Sequence, residues 1–255
     1  MTAFDYSNVP DPVREDIVAA NRAAWEHIAA PGTWLTGKKR VAIAEETRRA
    51  RSCMLCRARQ EALSPFGIEG EHDNISVNSL DLPGDLTDAI HRISTDARRL
   101  TKSWYTKLIA SGVSPEEYVE ALGVAVITIS IDEFNHAIGV GHELLPDPQD
   151  GKPSLYRPSG AEVEEGQAWV PVLGAGRIAP REMDLFAGIP PGAPPPNVIR
   201  ALSLVPAEVR AWKRVAEVQY LSTADMTSFG RIRSIDRSQI ELVAGRVSAI
   251  NECFY

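Results

Sequence analysis

Cysteine is scarce in this sequence. Of 255 residues only three are cysteine, at positions 53, 56 and 253. An odd and low number does not form the disulfide framework that stabilises small secreted domains. In a reducing compartment, cysteines at this spacing are expected to be redox-active, metal-binding or simply buried.

Long apolar runs and an excess of positive charge are also missing. The longest nearly apolar run covers residues 121–131, whereas a helix that spans a membrane needs about 20 residues. The net charge is −7, which argues against nucleic acid and anionic membranes as main partners. The first 16 residues show no basic region followed by an apolar stretch, so no signal peptide is predicted and a cytoplasmic protein is expected.

Helical patterns dominate what is present. The composition, 44% hydrophobic and 24% charged, is that of an ordinary globular protein. Ser114, Pro115 and Glu117 together form a strong helix start signal. Helical patterns recur in five further stretches, so an all-α protein is predicted: residues 14–30, 38–63, 85–110, 197–222 and 238–250.

One apolar stretch and one proline-rich stretch need separate interpretation. The run at 121–131 is rich in Val and Ile, but Val119, Leu122, Val126 and Ile129 lie at helical spacing and predict one helix face. Residues 146–196 hold 11 of the 18 prolines. This segment is predicted to be an irregular connector with one short helix near residues 180–188.

The sequence contains an apparent internal repeat. Residues 119–134 align with residues 240–255 at a constant offset of 121, which suggests duplication of a helical unit. Glu120 then matches Glu241, and Asp132 matches Cys253. Four segments are predicted: an N-terminal helical region (1–80), a degenerate first repeat (81–145), the connector (146–196) and a second repeat (197–255).

Glu241 and Cys253 form the first candidate site. Eleven residues separate them, and Asn251 is a good N-cap that would place Cys253 near the start of a following helix. The partial positive charge there favours a thiolate, and a buried glutamate on the preceding helix could relay a proton to it. The alternative is a buried cysteine and a surface glutamate with no chemistry.

The pattern E-x11-C in an all-α duplicated chain resembles the AhpD-like, or carboxymuconolactone decarboxylase-like, family. Its peroxidase members carry E-x11-C-x-x-C-x-x-x-H. The resemblance implies a homo-oligomer whose two cysteines cycle between dithiol and disulfide, with the second cysteine attacking peroxide and the first resolving the disulfide. By that resemblance, Glu241 would serve the proton relay and Cys253 would be the resolving thiol.

The match ends inside the motif. Tyr255 is the last residue, and the second cysteine of the family pattern would follow it. The resemblance therefore predicts that this chain is a fragment cut within C-x-x-C.

Cys53 and Cys56 form a complete C-x-x-C, the second candidate site. The spacing places both sulfurs on one helix face, near enough for a disulfide or for two metal ligands. Three interpretations stay open: an auxiliary redox pair, a buried structural pair, or part of a metal site that His72, with Glu71 and Asp73, would complete. Five arginines around the motif would favour thiolates: Arg48, Arg49, Arg51, Arg57 and Arg59.

The remaining histidines carry weaker signals. His136 and His142 are expected at a helix end or on the surface. His27 and His91 are expected to be surface residues or hydrogen-bonded structural residues.

The function predicted from these features is thiol-dependent reduction of hydroperoxides, with a dithiol reductant or a peroxiredoxin as partner and without a required cofactor. Two alternatives remain. One is an acid–base enzyme of the carboxymuconolactone decarboxylase type. The other is a non-catalytic helical oligomer whose C-x-x-C is structural or binds zinc.

Overall fold

The computed structural model describes residues 4–73, 81–174, 178–189, 193–227 and 233–250. Over these residues the protein is predominantly α-helical, which confirms the predicted all-α class. The α-helices in chain order are α1 (Glu15–Ala29), α2 (Gly37–Arg49), α3 (Met54–Glu61), α4 (Gly84–Asp96), α5 (Lys102–Ala110), α6 (Pro115–Ala137), α7 (Asn197–Arg200), α8 (Pro206–Gln219) and α9 (Arg237–Ile250).

Short 3-10 turns separate several helices. The basic stretch 38–63 forms two helices, because the turn Ala50–Ser52 ends α2 and Cys53 then adopts an extended conformation before α3. Within the connector, Pro180–Phe186 is the predicted short helix and has 3-10 geometry. The connector also carries two strands that the sequence did not predict, β1 (Ala161–Glu162) and β2 (Val172–Leu173), paired antiparallel.

Helix α6 is the central element of the fold. Its start is fixed as predicted, because the Ser114 hydroxyl accepts a hydrogen bond from the Glu117 amide at 3.2 Å, and the Glu117 carboxylate accepts one from the Ser114 amide at 3.0 Å. The helix packs against α1, α2, α4 and α8. One continuous hydrophobic core forms around it, with residues between Phe4 and Val215.

The predicted buried face of α6 is only partly correct. Val119 is buried, but Leu122 and Ile129 are half-buried, whereas Val124 and Ile127 are fully buried. The reason is that helices contact α6 on several sides. Its buried surface is therefore broader than the single stripe that helical spacing predicts.

Helix α9 differs from the prediction more strongly. Its apolar face was expected to be buried, yet Val243 is 59% exposed, Val247 50% and Ile250 63%, and only Ile240 is buried. No described element makes an extended contact with this helix.

Among the helices that the structure describes, none combines the length and the apolar character needed to cross a bilayer.

Candidate functional site

Two cysteines and two histidines converge beside the N-terminus of α3. Cys53, Cys56, His72 and His91, here called the Cys–His cluster, each offer one ligand atom, and these four atoms all lie within 4.8 Å of one another. The Cys53 Sγ lies 3.4 Å from the His72 Nδ1, and the Cys56 Sγ lies 3.3 Å from the His91 Nδ1. The structure thus supports the predicted proximity of Cys53, Cys56 and His72.

Local structure places the two sulfurs together. Cys53 is the N-cap residue of α3 and Cys56 lies in the first turn of that helix. Both side chains are buried and form a small separate apolar cluster with Leu55 and Ile68. A helix N-terminus favours negative charge on a nearby sulfur, because its backbone N–H groups have no partner within the helix.

His72 lies on the loop that follows α3. The neighbouring Asp73 accepts a hydrogen bond from the backbone N–H of Met54 at 2.8 Å, which fastens the loop to the start of α3. A hydrogen bond involving Cys53 lowers the pKa of Asp73, and the bond from Met54 lowers it as well. The sequence analysis considered Asp73 as a possible metal ligand. In the structure its carboxylate instead binds the loop to the start of α3.

His91 is the member of the cluster that sequence reasoning missed. It was expected to be a surface or structural histidine, but it is fully buried on α4 with Nδ1 aimed at Cys56. Its Nε2 lies 2.9 Å from the carboxylate of Glu46 on α2. The two histidine rings lie with their centroids 4.0 Å apart. The sequence gives no local signal for this position, because 35 residues separate His91 from Cys56.

A second carboxylate holds the other histidine. Asp88, one turn before His91 on α4, lies 3.0 Å from the Nε2 of His72 and also pairs with Arg59 and Arg92. Burial alone would raise the pKa of Asp88, but hydrogen bonds from His72, Arg92 and Arg59 outweigh it and hold the pKa well below its usual range. Asp88 is therefore an anion that accepts a hydrogen bond from His72.

Most of the arginines near C-x-x-C are engaged by carboxylates. Four of the five pair with carboxylates, so their charge is compensated locally: Arg48 with Asp132, Arg49 with Glu45, Arg51 with Glu133 and Arg59 with Asp88. Burial, with a smaller contribution from the adjacent Cys53, raises the pKa of the Cys56 thiol to about 12. Arg59 still favours the Cys56 thiolate, but its effect is smaller than that of burial.

The site predicted at Glu241 and Cys253 is described only in part. Glu241 lies on the exposed surface of α9, where its carboxylate accepts hydrogen bonds from Tyr220 at 3.0 Å and from Arg237 at 2.6 Å. The expected burial of this glutamate is therefore wrong. Cys253 lies outside the described residues, so its pairing with Glu241 stays a prediction.

A buried charge cluster lies in the core near α6. Arg40 of α2 donates hydrogen bonds to Glu120 of α6 at 2.6 Å and to Glu208 of α8 at 2.7 Å, and all three side chains are fully buried. His27 lies 3.0 Å from Glu208. Burial alone would raise the pKa of Glu208, but Arg40 and His27 lower it to about 2; burial raises the pKa of Glu120. These contacts join α1, α2, α6 and α8.

A separate cavity lies between α5, α6, α7 and the connector. Its volume is about 690 Å³, which falls within the range of small-molecule pockets. Tyr105, Tyr118 and Trp169 provide an aromatic lining, and Arg200 is the charged residue among the described lining residues. Burial raises the pKa of Tyr105 to about 12 and also raises that of Tyr118, so both phenols are protonated at neutral pH.

Comparison of the chain with protein-family models, with curated proteins and with solved structures finds no match. The resemblance to the AhpD-like family therefore stays a prediction that rests on the sequence pattern.

Proposed function

We propose that the protein is a thiol-dependent oxidoreductase that reduces hydroperoxides, with Cys53 and Cys56 as the reacting dithiol. One observation carries the proposal: each sulfur contacts a histidine whose far nitrogen is hydrogen-bonded to a carboxylate. A thiol beside a histidine that a third group orients is the arrangement of an activated nucleophile.

Cys53 is assigned as the attacking thiol. It is the N-cap residue of α3, where the helix N-terminus favours a thiolate, and His72 lies in position to take its proton. The thiolate attacks one peroxide oxygen, so an S–O bond forms and the O–O bond breaks. The proton on His72 passes to the departing alkoxide, which leaves as an alcohol, and Cys53 becomes a sulfenic acid.

Cys56 is assigned as the resolving thiol. His91, oriented by Glu46, takes the proton of Cys56, and the resulting thiolate attacks the sulfur of Cys53. The S–S bond forms, the S–O bond breaks, and hydroxide leaves as water with the proton from His91. An external dithiol then supplies two electrons and two protons to restore both thiols.

The order of roles that the family resemblance implies applies to the motif at Cys253 and is not carried over to this pair. The assignment rests on position, because Cys53 and not Cys56 occupies the helix N-cap. The remaining expectations, a homo-oligomer in the cytoplasm with a dithiol reductant or a peroxiredoxin as partner, belong to the same proposal.

The lactone decarboxylase alternative has less support. An acid–base enzyme needs groups that titrate near neutral pH beside a substrate cavity. The described lining of the 690 Å³ cavity offers two tyrosines with raised pKa and one arginine instead.

Peroxide consumption by the reduced, chelator-treated protein tests the proposal, with dithiothreitol as reductant and cumene hydroperoxide as substrate. We expect Cys53→Ser to abolish turnover. We expect Cys56→Ser to trap a sulfenic acid at Cys53 after one equivalent of peroxide. His136→Ala, which changes an exposed histidine at the end of α6, is the control and keeps the wild-type rate.

A separate variant distinguishes the two candidate sites. If Cys253→Ser abolishes turnover while the double variant of Cys53 and Cys56 retains it, the reaction belongs to Cys253 and the assignment above is wrong.

A further inference from the structure

We infer that the reduced protein binds one zinc ion through Cys53, Cys56, His72 and His91. This inference rests on the geometry of the Cys–His cluster and not on the peroxide chemistry proposed above. A protein that binds zinc and reduces no peroxide would leave it intact.

The spacing of the ligand atoms fits a tetrahedral ion. Zinc lies roughly 2.3 Å from a cysteine sulfur and roughly 2.0–2.1 Å from a histidine nitrogen, so a sulfur and a nitrogen on one tetrahedron are separated by about 3.6 Å. The observed separations between Sγ and Nδ1 are 3.4 Å for Cys53 and His72, 3.9 Å for Cys56 and His72, and 3.3 Å for Cys56 and His91. Small shifts of side chains therefore suffice to admit the ion.

The hydrogen bonds of the two histidines prepare both rings for a metal. Asp88 faces the Nε2 of His72 and Glu46 faces the Nε2 of His91. Each carboxylate accepts a hydrogen bond only if that Nε2 carries the proton, which leaves the Nδ1 lone pair directed at the sulfurs. A histidine that binds metal through one nitrogen and donates to a carboxylate through the other is the usual pattern in zinc sites.

The donor set and its burial favour zinc and a structural role. Two thiolates with two imidazoles in a tetrahedral arrangement are typical of zinc. All four ligands come from the protein and are almost completely buried, so no coordination position stays open for substrate. The ion would join α3, α4 and the loop that carries His72, where the local apolar cluster is small.

Binding would also control the thiols. A zinc ion holds both sulfurs as thiolates, and a disulfide between Cys53 and Cys56 removes two of its four ligands. We therefore expect zinc and peroxide to compete for the same two sulfurs, with zinc released when the disulfide forms.

The test measures metal in the full chain purified under reducing conditions, by inductively coupled plasma and native mass spectrometry. One zinc per chain is expected in the wild type. Cys56→Ser and His91→Ala are expected to lose it. The control His136→Ala changes an exposed histidine outside the cluster and is expected to retain one zinc per chain.

Cobalt spectroscopy on the wild type covers the case in which a ligand variant does not fold. Replacement of zinc by Co²⁺ should produce the intense visible bands of a tetrahedral ion and a near-ultraviolet thiolate charge-transfer band. Weak octahedral-type bands without charge transfer would overturn the inference. So would zinc contents that are equal in Cys56→Ser, His91→Ala and His136→Ala.

Different measurements test the proposed function and the proposed zinc site. Loss of peroxide turnover in the metal-free protein bears on the proposed function alone, whereas metal content and the cobalt spectrum bear on the zinc site alone.

Discussion

Two carboxylates determine what the two histidines can do. Glu46 and Asp88 lie on different helices, and each binds the Nε2 of one histidine of the Cys–His cluster. Without these bonds either ring nitrogen could carry the proton, and the ring could turn away from the sulfurs. A change in either carboxylate should therefore alter the behaviour of the thiols and of the metal without touching a ligand.

Glu46→Gln tests this at a single residue. The amide keeps a hydrogen-bonding oxygen but loses the negative charge beside the Nε2 of His91. We expect zinc affinity to fall by about 10–100-fold, measured by competition with a chromogenic chelator. Glu45→Gln is the matched control, because Glu45 pairs with Arg49 instead. Equal zinc affinity in wild type and Glu46→Gln would contradict this role.

The sequence predicts only part of this site. The C-x-x-C spacing brings two sulfurs together and so indicates a redox pair or two metal ligands. His72, 16 residues after Cys56, indicates a third metal ligand. The other members of the site are His91, Glu46 and Asp88. The sequence patterns of their helices indicate which side chains are buried, but they do not indicate which side chains these residues contact. Their convergence depends on how α2, α3 and α4 pack, which a single sequence does not specify.

At the scale of helices, the buried charge cluster and a close contact at Gly123 connect α6 with α8. A Cβ placed on Gly123 would lie 2.6–2.7 Å from atoms of the Glu208 side chain, closer than real Cβ contacts allow. Glycine in a helix interior costs roughly 0.5–1 kcal/mol relative to alanine. Its presence in the middle of α6 is explained by the space that Glu208 requires.

Gly123→Ala should therefore destabilise the protein although alanine is the better helix former. Overpacking costs about 1–3 kcal/mol, which exceeds the gain of roughly 0.5–1 kcal/mol in helix propensity. Gly245→Ala is the matched control, because Gly245 is an exposed glycine of α9 with open space around its Cβ position. Urea unfolding should show a loss for Gly123→Ala and a small gain for Gly245→Ala. Gains in both would contradict the close contact.

The buried charge cluster also predicts a pH dependence. The pKa of Glu208 is about 2 in the folded protein and about 4.3 in an unfolded chain. Because the folded value is lower, the carboxylate stabilises the fold above pH ~4.3, and this contribution is lost as the pH falls toward 2. The difference corresponds to about 3 kcal/mol.

The comparison of wild type with Glu208→Gln tests this effect. The variant removes the Glu208 charge and, with it, part of the rise in the pKa of Glu120, which burial and the Glu208 charge together produce. Free energies of unfolding should differ most at neutral pH and converge as the pH falls below 4. A difference that is constant with pH would contradict the assignment.

Local signals explain which helices the sequence predicts well. The start of α6 follows from Ser114, Pro115 and Glu117, because this capping box is formed by neighbouring residues. The buried face of α6 does not follow, because helices surround it on several sides. The apolar face of α9 was expected to be buried and is exposed. Apolar spacing shows that a helix has an apolar face, but it does not show whether another element packs against that face.

In the molecule as a whole, one hydrophobic core holds α1, α2 and α4 to α8, and the two cysteines of the Cys–His cluster belong to a small apolar cluster beside it. The local structure around the Cys–His cluster is therefore expected to depend more on a bound metal ion or a disulfide bond than on the main core. We expect zinc removal to loosen the loop that carries His72 while the main core stays folded. Hydrogen exchange in the presence and absence of a chelator measures this. Faster exchange throughout α6 after chelation would contradict it.

The proposed homo-oligomer stays a prediction at this scale. Size-exclusion chromatography with light scattering gives the mass in solution, and a mass of one chain would contradict it.

We propose above that Cys53 and Cys56 form the reactive dithiol. The most direct test of this proposal is peptide mapping by mass spectrometry after the reduced, metal-free protein has reacted with one equivalent of hydrogen peroxide. Trypsin releases both cysteines in one peptide, residues 52–57, and Cys253 in another. Peptide 52–57 is expected to lose two hydrogen atoms as the disulfide forms. Oxidation of Cys253, with both thiols of peptide 52–57 still reduced, would contradict it.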